Sequence, residues 1–241
     1  MTTVEGDWLP ETPREAVGPV VEEKVILGER TFRILRPAQP DLLLDNPLVI
    51  KAFERDEYMP YWADLWPAAR MLGKALLAEA WPRGLATLEI GCGLGLSGIV
   101  ALAQGLSVTF SDYDATALHF AAENARLNGF HDFRLLRLDW RKPPALKFPL
   151  ILASDLLYEE RNVAPLVGLL QQMLPPDGLC LLTDQDRKPA PLLRKTLSEQ
   201  GFEFTTQMLR AGQPGLRVKG TLYRIRKAGK QFHENDGTGG G

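Results

Sequence analysis

The chain has 241 residues, of which 45% are hydrophobic and 24% charged, a composition typical of globular proteins and too apolar for a disordered one. Its 28 basic and 30 acidic residues give a formal net charge of −2, which argues against a dedicated nucleic-acid-binding protein. A chain of this length can bury a sizeable core without disulfides.

Cysteine usage and hydropathy indicate the compartment. Cys92 and Cys180 cannot form a disulfide framework, and with three scattered histidines they offer no metal-ligand spacing. The first thirty residues lack the basic-then-apolar order of a secretory signal. The uncharged stretch from Ile90 to Ser111 is long enough to span a bilayer, but its five glycines favour a strand, loop, helix and strand of a soluble core. We therefore predict a cytoplasmic protein with neither a membrane segment nor a metal site.

The first part of the chain predicts an extension before the main sheet. Residues 1–18 are rich in Glu, Thr, Pro and Gly without periodicity, so we predict a flexible N-terminal arm. Two short apolar runs between Val20 and Leu35 predict a β-hairpin. A helix is predicted at about Leu48 to Arg55. A stronger one is predicted from Asp64 to Ala80, with Asp64 as its cap and Pro67 in its first turn.

After Gly84 the pattern changes to alternating strands and helices. The predicted strands are Ala86–Ile90, Ser107–Ser111, Phe133–Leu138, Leu150–Ser154 and Leu179–Thr183. The predicted helices are Leu96–Gln104, Ala115–Asn128, Val163–Leu174 and Ala190–Gln200. This alternation predicts a Rossmann-like, doubly wound α/β fold with helices on both faces of a parallel sheet. The last segments, Phe202–Arg210 and Leu216–Arg226, predict an antiparallel hairpin, so we expect one domain over residues 19–228 and a disordered tail over residues 229–241.

A glycine-rich segment after the first parallel strand predicts a ligand site, since open α/β sheets bind ligands at the carboxyl ends of their strands. Gly93, Gly95 and Gly98 satisfy the dinucleotide pattern G-x-G-x-x-G. Glu89 followed by Gly91, Gly93 and Gly95 instead fits S-adenosylmethionine sites. Glu89 would repel a pyrophosphate and attract an ammonium or sulfonium, which favours the methyl donor. Glycines that serve packing alone are the remaining alternative.

Acidic and aromatic residues end the next three strands at the same edge of the sheet. Asp112 can accept hydrogen bonds from ribose hydroxyls, a use that NAD proteins share. Asp139 and Trp140 can contact an adenine, the alternative being a turn acid and a core ring. Asp155 and Tyr158 follow the fourth strand, where we expect them near the transferred methyl group. A helix cap and a packed tyrosine are the alternative there.

These motifs resemble the seven-β-strand methyltransferases and, more narrowly, methyltransferase family 16, protein lysine methyltransferases marked by Asp-x-x-Tyr after the fourth strand. The resemblance covers roughly Val20 to Arg226. The matching segments are Trp66 to Ala69, Leu88 to Gly93, Asp112 to Asp114, Asn124 to Gly129, Asp139-Trp140 and Asp155 to Tyr158. The resemblance implies a sheet of seven strands with the last one antiparallel.

Motifs and resemblance together define the predicted site. The predicted cofactor-binding residues are Trp66, Glu89, Gly91, Cys92, Gly93, Gly95, Asp112, Tyr113, Asp139, Trp140 and Ser154. The predicted catalytic residues are Asp155, which would accept a hydrogen bond from the acceptor amine, and Tyr158, which would wall the pocket.

The predicted function is transfer of a methyl group from S-adenosylmethionine to a lysine of a partner protein. A small-molecule N-methyltransferase is the first alternative, followed by an NAD-dependent oxidoreductase and a non-catalytic S-adenosylmethionine-binding protein. An acidic rim around an open pocket would favour a protein lysine, and an enclosing lid a metabolite. We expect no nucleic acid and no membrane as partner. Seven basic residues between Arg210 and Lys230 leave an RNA contact as an alternative to a solvated edge hairpin.

Overall fold

The computed structural model describes residues 2–3, 17–213 and 216–229. The predicted arm over residues 1–18 and the predicted tail over residues 229–241 lie almost entirely outside these ranges. Residues 214–215 lie outside them too. The division into arm, domain and tail therefore stays a prediction.

The N-terminal elements begin with two residues of strand, Thr2–Thr3 (β1). Val20–Leu27 (β2) and Arg30–Pro37 (β3) then form the predicted antiparallel hairpin. Two helices follow, Pro47–Asp56 (α1) and Pro67–Leu77 (α2).

The prediction that Asp64 caps α2 is wrong. The helix begins at Pro67, and Trp66 is its N-cap residue with extended backbone angles, φ −66° and ψ 145°. Proline disfavours a helical conformation in the residue before it, so α2 cannot begin earlier. The carboxylate of Asp64 instead accepts the N–H of Leu65, at 2.7 Å.

The remaining elements alternate as predicted, with bounds within three residues of the predicted ones. They are Ala86–Ile90 (β4), Leu96–Ala103 (α3), Ser107–Asp112 (β5), Ala115–Leu127 (α4), Arg134–Arg137 (β6), Leu150–Ser154 (β7), Val163–Met173 (α5), Leu179–Asp184 (β8), Ala190–Glu199 (α6), Phe202–Gln213 (β9) and Leu216–Lys227 (β10).

In the described part of the chain, the main sheet has the order β6-β5-β4-β7-β8-β10-β9, and β1 pairs with β6 at its edge. The strands from β6 to β8 are parallel, whereas β10 is antiparallel to both of its neighbours. This confirms the predicted sheet of seven strands with the last one antiparallel. The chain leaves β4 in one direction to β5 and later returns to its other side at β7. That reversal places a crevice beside the carboxyl end of β4, where sheets of this kind bind ligands.

Two hydrophobic cores cover the two faces of the sheet. Along β7, Leu150 and Leu152 pack into the core beneath α2, α3 and α4, while Ile151 and Ala153 pack into the core beneath α5 and α6. Successive strand residues point to opposite faces, so both faces of this central strand are apolar and buried. The rigid sheet between these cores positions the residues that follow each strand.

The N-terminal hairpin is attached to α4 by two side-chain amides. Asn124 Oδ1 accepts the N–H of Leu35 at 2.7 Å, and its Nδ2 donates to the carbonyl of Leu35 at 3.0 Å. Asn128 makes the same pair of bonds with Arg33, at 3.0 and 2.7 Å. Residues one helical turn apart thus pair with alternate residues of β3, as a neighbouring strand would. Asn124 also donates to the carbonyl of Leu94 in the glycine segment, at 3.0 Å.

Replacing Asn124 by alanine is expected to lower the free energy of unfolding by about 3 kcal/mol, because buried backbone groups lose their partners. The matched variant Asn128→Ala should lose about 1 kcal/mol or less, since its bonds to Arg33 lie at the surface. Urea unfolding followed by circular dichroism gives both values. Equal losses of unfolding free energy in the two variants would contradict the larger contribution assigned to the buried amide of Asn124.

Candidate functional site

The loop between β4 and α3 requires glycine at three positions. Gly91, Gly93 and Gly95 have φ values of 57°, 51° and 82°, in the left-handed region that favours glycine. A Cβ atom on Gly91 would lie 2.6 Å from Leu156 Cδ2 and 3.2 Å from the Trp140 ring. The loop can therefore follow this path only without side chains, and its backbone forms part of the wall of a cavity.

Gly98 explains why the sequence also fits the dinucleotide pattern. A Cβ atom at this position in α3 would lie 2.3 Å from the ring of Phe110 and 2.6 Å from Glu89 Oε2. Glycine here lets α3 pack closely on β5. The third glycine of the pattern is thus accounted for by helix–strand packing.

Glu89 lies behind the loop rather than in the cavity. Glu89 is only 1% exposed, and its Oε2 accepts the N–H of Gly98 at 2.9 Å. Burial raises the pKa of Glu89 to about 8. Sequence reasoning had this carboxylate face the ligand, whereas the structure turns it to the first turn of α3. That Glu89 takes part in cofactor binding stays a prediction. Because its side chain does not line the cavity, it would act on a ligand through the position of the glycine loop.

The free energy of unfolding is expected to fall as the pH rises from 6 to 8. Glu89 has a pKa of about 8 in the folded protein against an ordinary 4.5, so the folded state holds the proton more tightly. The resulting stabilisation is complete below about pH 4.5 and is lost as the pH rises through about 8. Glu89→Gln should flatten this slope, and the exposed Glu203→Gln should leave it unchanged, in urea unfolding at pH 6, 7 and 8. An unchanged slope in Glu89→Gln would argue against the raised pKa.

A cavity of about 350 Å³ lies at the carboxyl edge of the sheet, within the size range of small-ligand sites. All predicted site residues except Glu89 line it. These are Trp66, Gly91, Cys92, Gly93, Gly95, Asp112, Tyr113, Asp139, Trp140, Ser154, Asp155 and Tyr158. The structure thus brings together, from five separate segments, the residues that the sequence analysis selected.

Asp112 holds the glycine loop from the neighbouring strand end. Its Oδ2 accepts the N–H of Gly93 at 2.9 Å, and its Oδ1 accepts the N–H of Asp114 at 3.0 Å. Burial is the main cause that raises the pKa of Asp112 to about 6. Since Asp112 also lines the cavity, its remaining lone pairs are available to a ligand hydroxyl.

Trp140 carries a buried donor that no described residue satisfies. Its indole nitrogen has no hydrogen-bond partner among the described residues, although the ring lines the cavity beside Gly91. An unpaired buried donor costs about 1–3 kcal/mol. An acceptor atom of a bound ligand within reach of this nitrogen would remove that cost.

Sequence reasoning missed the aromatic side chains between α1 and α2. Tyr58, Tyr61 and Trp62 line the cavity together with Trp66. The ring centre of Tyr61 lies 4.7 Å from that of Tyr158 and 6.2 Å from that of Trp66, so we call Tyr61, Trp66 and Tyr158 the aromatic wall. The signal that could have revealed it is four aromatic residues within nine positions, in a stretch without regular periodicity.

Negative charge predominates around the cavity. Of the described residues that line it, the acidic ones are Asp56, Glu57, Asp64, Asp112, Asp139, Asp155 and Glu159, and the basic ones are Arg141 and Arg161. Arg141 pairs with Asp56 and Asp139, and Arg161 with Glu57 and Glu159. The excess of carboxylates favours a ligand that carries positive charge.

The described residues show neither a metal-ligand cluster nor a membrane-spanning helix. Within residues 2–3, 17–213 and 216–229, the side chains form no group of three or more potential metal ligands. No helix in the same ranges combines the length and the apolar character needed to cross a bilayer.

Known proteins resemble this chain over its central part. A family model described as "Lysine methyltransferase" matches residues 50–206. The electron transfer flavoprotein beta subunit lysine methyltransferase of Mus musculus is 35% identical over 103 residues, which are 42% of this chain and 40% of that protein. The histidine protein methyltransferase 1 homolog of Dictyostelium discoideum is 35% identical over 109 residues, 42% of this chain and 35% of that protein. The chain therefore spans about two fifths or less of the length of these curated relatives.

Solved structures share the fold. The ribosomal protein L11 methylase from Lactobacillus delbrueckii subsp. bulgaricus aligns with a TM-score of 0.55 and 24% identity, over 67% of this chain and 79% of that one. The N-methyltransferase NodS from Bradyrhizobium japonicum WM9, crystallised with S-adenosyl-L-homocysteine, aligns with a TM-score of 0.55 and 20% identity, over 73% and 97%. The fold and the family match confirm the resemblance found in the sequence: the chain belongs to the lysine methyltransferase family.

Proposed function

We propose that the protein transfers a methyl group from S-adenosylmethionine to a lysine side chain of another protein. The observation that carries the proposal is a single acidic cavity lined by both the predicted cofactor residues and the Asp155–Tyr158 pair. Membership of the family supports it, as do the names of the two curated relatives, each of which describes methylation of a protein.

The cavity residues suit this methyl donor. The backbone of the glycine loop allows close approach, Asp112 would accept hydrogen bonds from ribose hydroxyls, and Trp140 would meet the adenine. When bound, S-adenosylmethionine would supply a methyl group on a positively charged sulfur, and a neutral amine would take that methyl in line, forming a C–N bond as the C–S bond breaks and S-adenosylhomocysteine leaves. The carboxylates around the cavity would favour the positive charge of this ligand.

The acceptor end must supply a neutral, oriented amine. A free lysine has a pKa near 10.4, so deprotonation at pH 7 costs about 4–5 kcal/mol. Apolar surroundings such as the aromatic wall lower the pKa of a lysine. Asp155 would accept a hydrogen bond from the amine and so orient its lone pair, while Tyr158, which is 36% exposed, would bound the opening.

Methylation of a small molecule is the second candidate. The segment between α1 and α2 contributes much of the cavity wall, and Arg161 ties its first residue, Glu57, to the far side. A segment that closes over a cavity in this way is typical of sites that enclose a metabolite. The acidic rim favours a protein lysine.

The deciding experiment incubates the purified protein with radiolabelled S-adenosylmethionine and host lysate, and separates macromolecules from small molecules. We expect label in protein, and none when the lysate lysines have first been acetylated, because the resulting amide nitrogen has no lone pair available for methylation. Label confined to small molecules would establish the second candidate. Label in protein that persists after lysine blocking would contradict a lysine acceptor.

The proposal includes one domain over residues 19–228 and a cytoplasmic location. Cys92 and Cys180 are buried free thiols, which fits a reducing compartment. Fluorescence microscopy of the tagged chain in host cells tests the location, and accumulation in an organelle lumen would contradict it.

A further inference from the structure

The residues that follow β8 reach the carboxylate of Asp155, and the sequence analysis did not select them. We propose that Gln185 and Arg187 are positioning residues that hold the Asp155 carboxylate in place for the methyl acceptor. Arg187 at the same time sets Trp66 in the aromatic wall. This inference rests on the proposed function, because it assigns these residues to the acceptor end of that site.

The turn after β8 is built to present these two side chains. Strands β7 and β8 are parallel neighbours with Ser154 opposite Thr183, so the residues that follow each strand lie side by side. Asp184 Oδ1 accepts the N–H of Arg187 at 2.9 Å. Asp186 has a left-handed φ of 57°, and its Oδ1 accepts a hydrogen bond from Thr221 on β10, at 2.6 Å. The turn is thus fixed at both ends.

Asp155 receives donors from both side chains of this turn. Gln185 Nε2 donates to Asp155 Oδ2 at 2.6 Å. Arg187 Nη1 lies 3.1 Å from Asp155 Oδ1 and donates to the Asp155 carbonyl at 3.3 Å. Asp155 itself has a φ of 61°, a left-handed conformation that is uncommon for a residue other than glycine. The contacts with Gln185 and Arg187 are made in this conformation.

The two carboxylate oxygens of Asp155 have different surroundings. Oδ1 is buried, and although it is paired with the charge of Arg187, it has no hydrogen-bond partner among the described residues. Asp155 lines the cavity, and an ionised carboxylate offers about four lone-pair sites. Gln185 and Arg187 therefore fix the direction of a carboxylate group whose residue forms part of the cavity wall.

Arg187 connects this carboxylate to the aromatic wall. Its guanidinium carbon lies 5.3 Å from the ring centre of Trp66. The indole nitrogen of Trp66 donates to the carbonyl of Tyr61 at 2.7 Å, and Tyr61 packs on Tyr158. A planar guanidinium can pair with a carboxylate and lie over a ring at once, which an ammonium group does less well.

The charges that face Asp155 predict how it titrates. Burial raises the pKa of Asp155 to about 6, the Arg187 charge opposes that rise, and the neighbouring Asp184 adds to it. Removing the charge of Arg187 should therefore raise the pKa of Asp155 further, by about one pH unit. As the pH is lowered, protonation of the carboxylate, and with it the loss of activity, would then begin at a higher pH than in the wild type.

The test compares Arg187→Met, Arg187→Lys and Gln185→Leu with the wild type. The matched control is Arg194→Met, because Arg194 on α6 donates to Tyr223 away from the cavity. The Asp155 side-chain carboxyl is titrated by carbon-13 NMR, with its signal assigned through Asp155→Asn. In parallel, kcat and KM for the labelled protein acceptor are measured from pH 5.5 to 9.

We expect kcat to fall about tenfold to a hundredfold in Arg187→Met, with a smaller change in KM. The Asp155 titration and the acid limb of kcat should both move to higher pH. Arg187→Lys should restore the titration, because it keeps the charge, while kcat stays low, because it loses the planar group. Gln185→Leu should also raise the midpoint of the Asp155 titration, and Arg194→Met should change neither readout.

An Asp155 titration and kcat that match the wild type in Arg187→Met and Gln185→Leu would overturn the inference. The proposed function would survive that result, because protein labelling by the wild type is scored separately. Should the wild type label no protein, the proposed function fails. The NMR titration, which needs neither cofactor nor acceptor, still decides whether Gln185 and Arg187 hold Asp155.

Discussion

Replacing Asp155 by asparagine is expected to lower kcat for methyl transfer about a hundredfold, with little change in cofactor affinity. The amide keeps the shape of the carboxylate, and the side chain of Gln185 can turn its amide to keep one hydrogen bond. The acceptor amine, however, would lose a charged partner that orients it, and misalignment at a reacting centre typically costs about this factor. Single-turnover kinetics with labelled donor and the identified acceptor measure the loss.

The matched control for this change is Asp177→Asn, which neutralises an exposed carboxylate in the turn before β8. It should retain the wild-type kcat. Titration calorimetry with S-adenosylhomocysteine should give similar dissociation constants for wild type and both variants. Full activity in Asp155→Asn would remove Asp155 from the mechanism and leave Tyr158 as the remaining candidate at the acceptor end.

Replacing Asp112 by alanine is expected to weaken binding of S-adenosylhomocysteine about a hundredfold or more. Hydrogen bonds to a charged group contribute about 1.5–3 kcal/mol each, and the carboxylate would lose two ribose hydroxyls. The variant also releases the N–H of Gly93, so the loop loses its support from β5. Isothermal titration calorimetry measures the change.

The exposed Asp132→Ala serves as control for the loss of one carboxylate and should bind like the wild type. Thermal unfolding of both variants separates a local effect on the loop from general destabilisation. Unchanged affinity in Asp112→Ala, or tighter binding of NAD than of S-adenosylhomocysteine by the wild type, would contradict the assigned cofactor site.

The sequence predicted the sheet well because its signals are local. Alternating apolar runs and glycine stops define each β–α unit, and the carboxyl ends of parallel strands necessarily share one edge. Asp112, Trp140 and Asp155 could therefore be placed together without coordinates. The direction of the Glu89 side chain could not, because it depends on the close packing that Gly98 allows between α3 and β5.

The parts that sequence reasoning missed depend on contacts between distant segments. Tyr61 reaches Tyr158 from a stretch with no periodic pattern, and Gln185 and Arg187 reach Asp155 from the adjacent strand. Neither pair is close in sequence. The β8 strand end offered one usable signal, since Asp184 to Arg187 lie at the same edge of the sheet as the other site residues.

The amides of Asn124 and Asn128 recognise only main-chain atoms of the hairpin. The 69% exposed side chain of Ile26 on β2 consequently takes no part in this attachment. A hairpin grafted from a relative should seat on this protein when both asparagines remain and the graft keeps apolar side chains at the buried positions of Val25, Leu27, Phe32 and Ile34. Asn124 also donates to the carbonyl of Leu94 in the glycine segment. A graft that packs poorly against Asn124 should therefore lower the affinity for S-adenosylhomocysteine, although the altered strands lie away from that site.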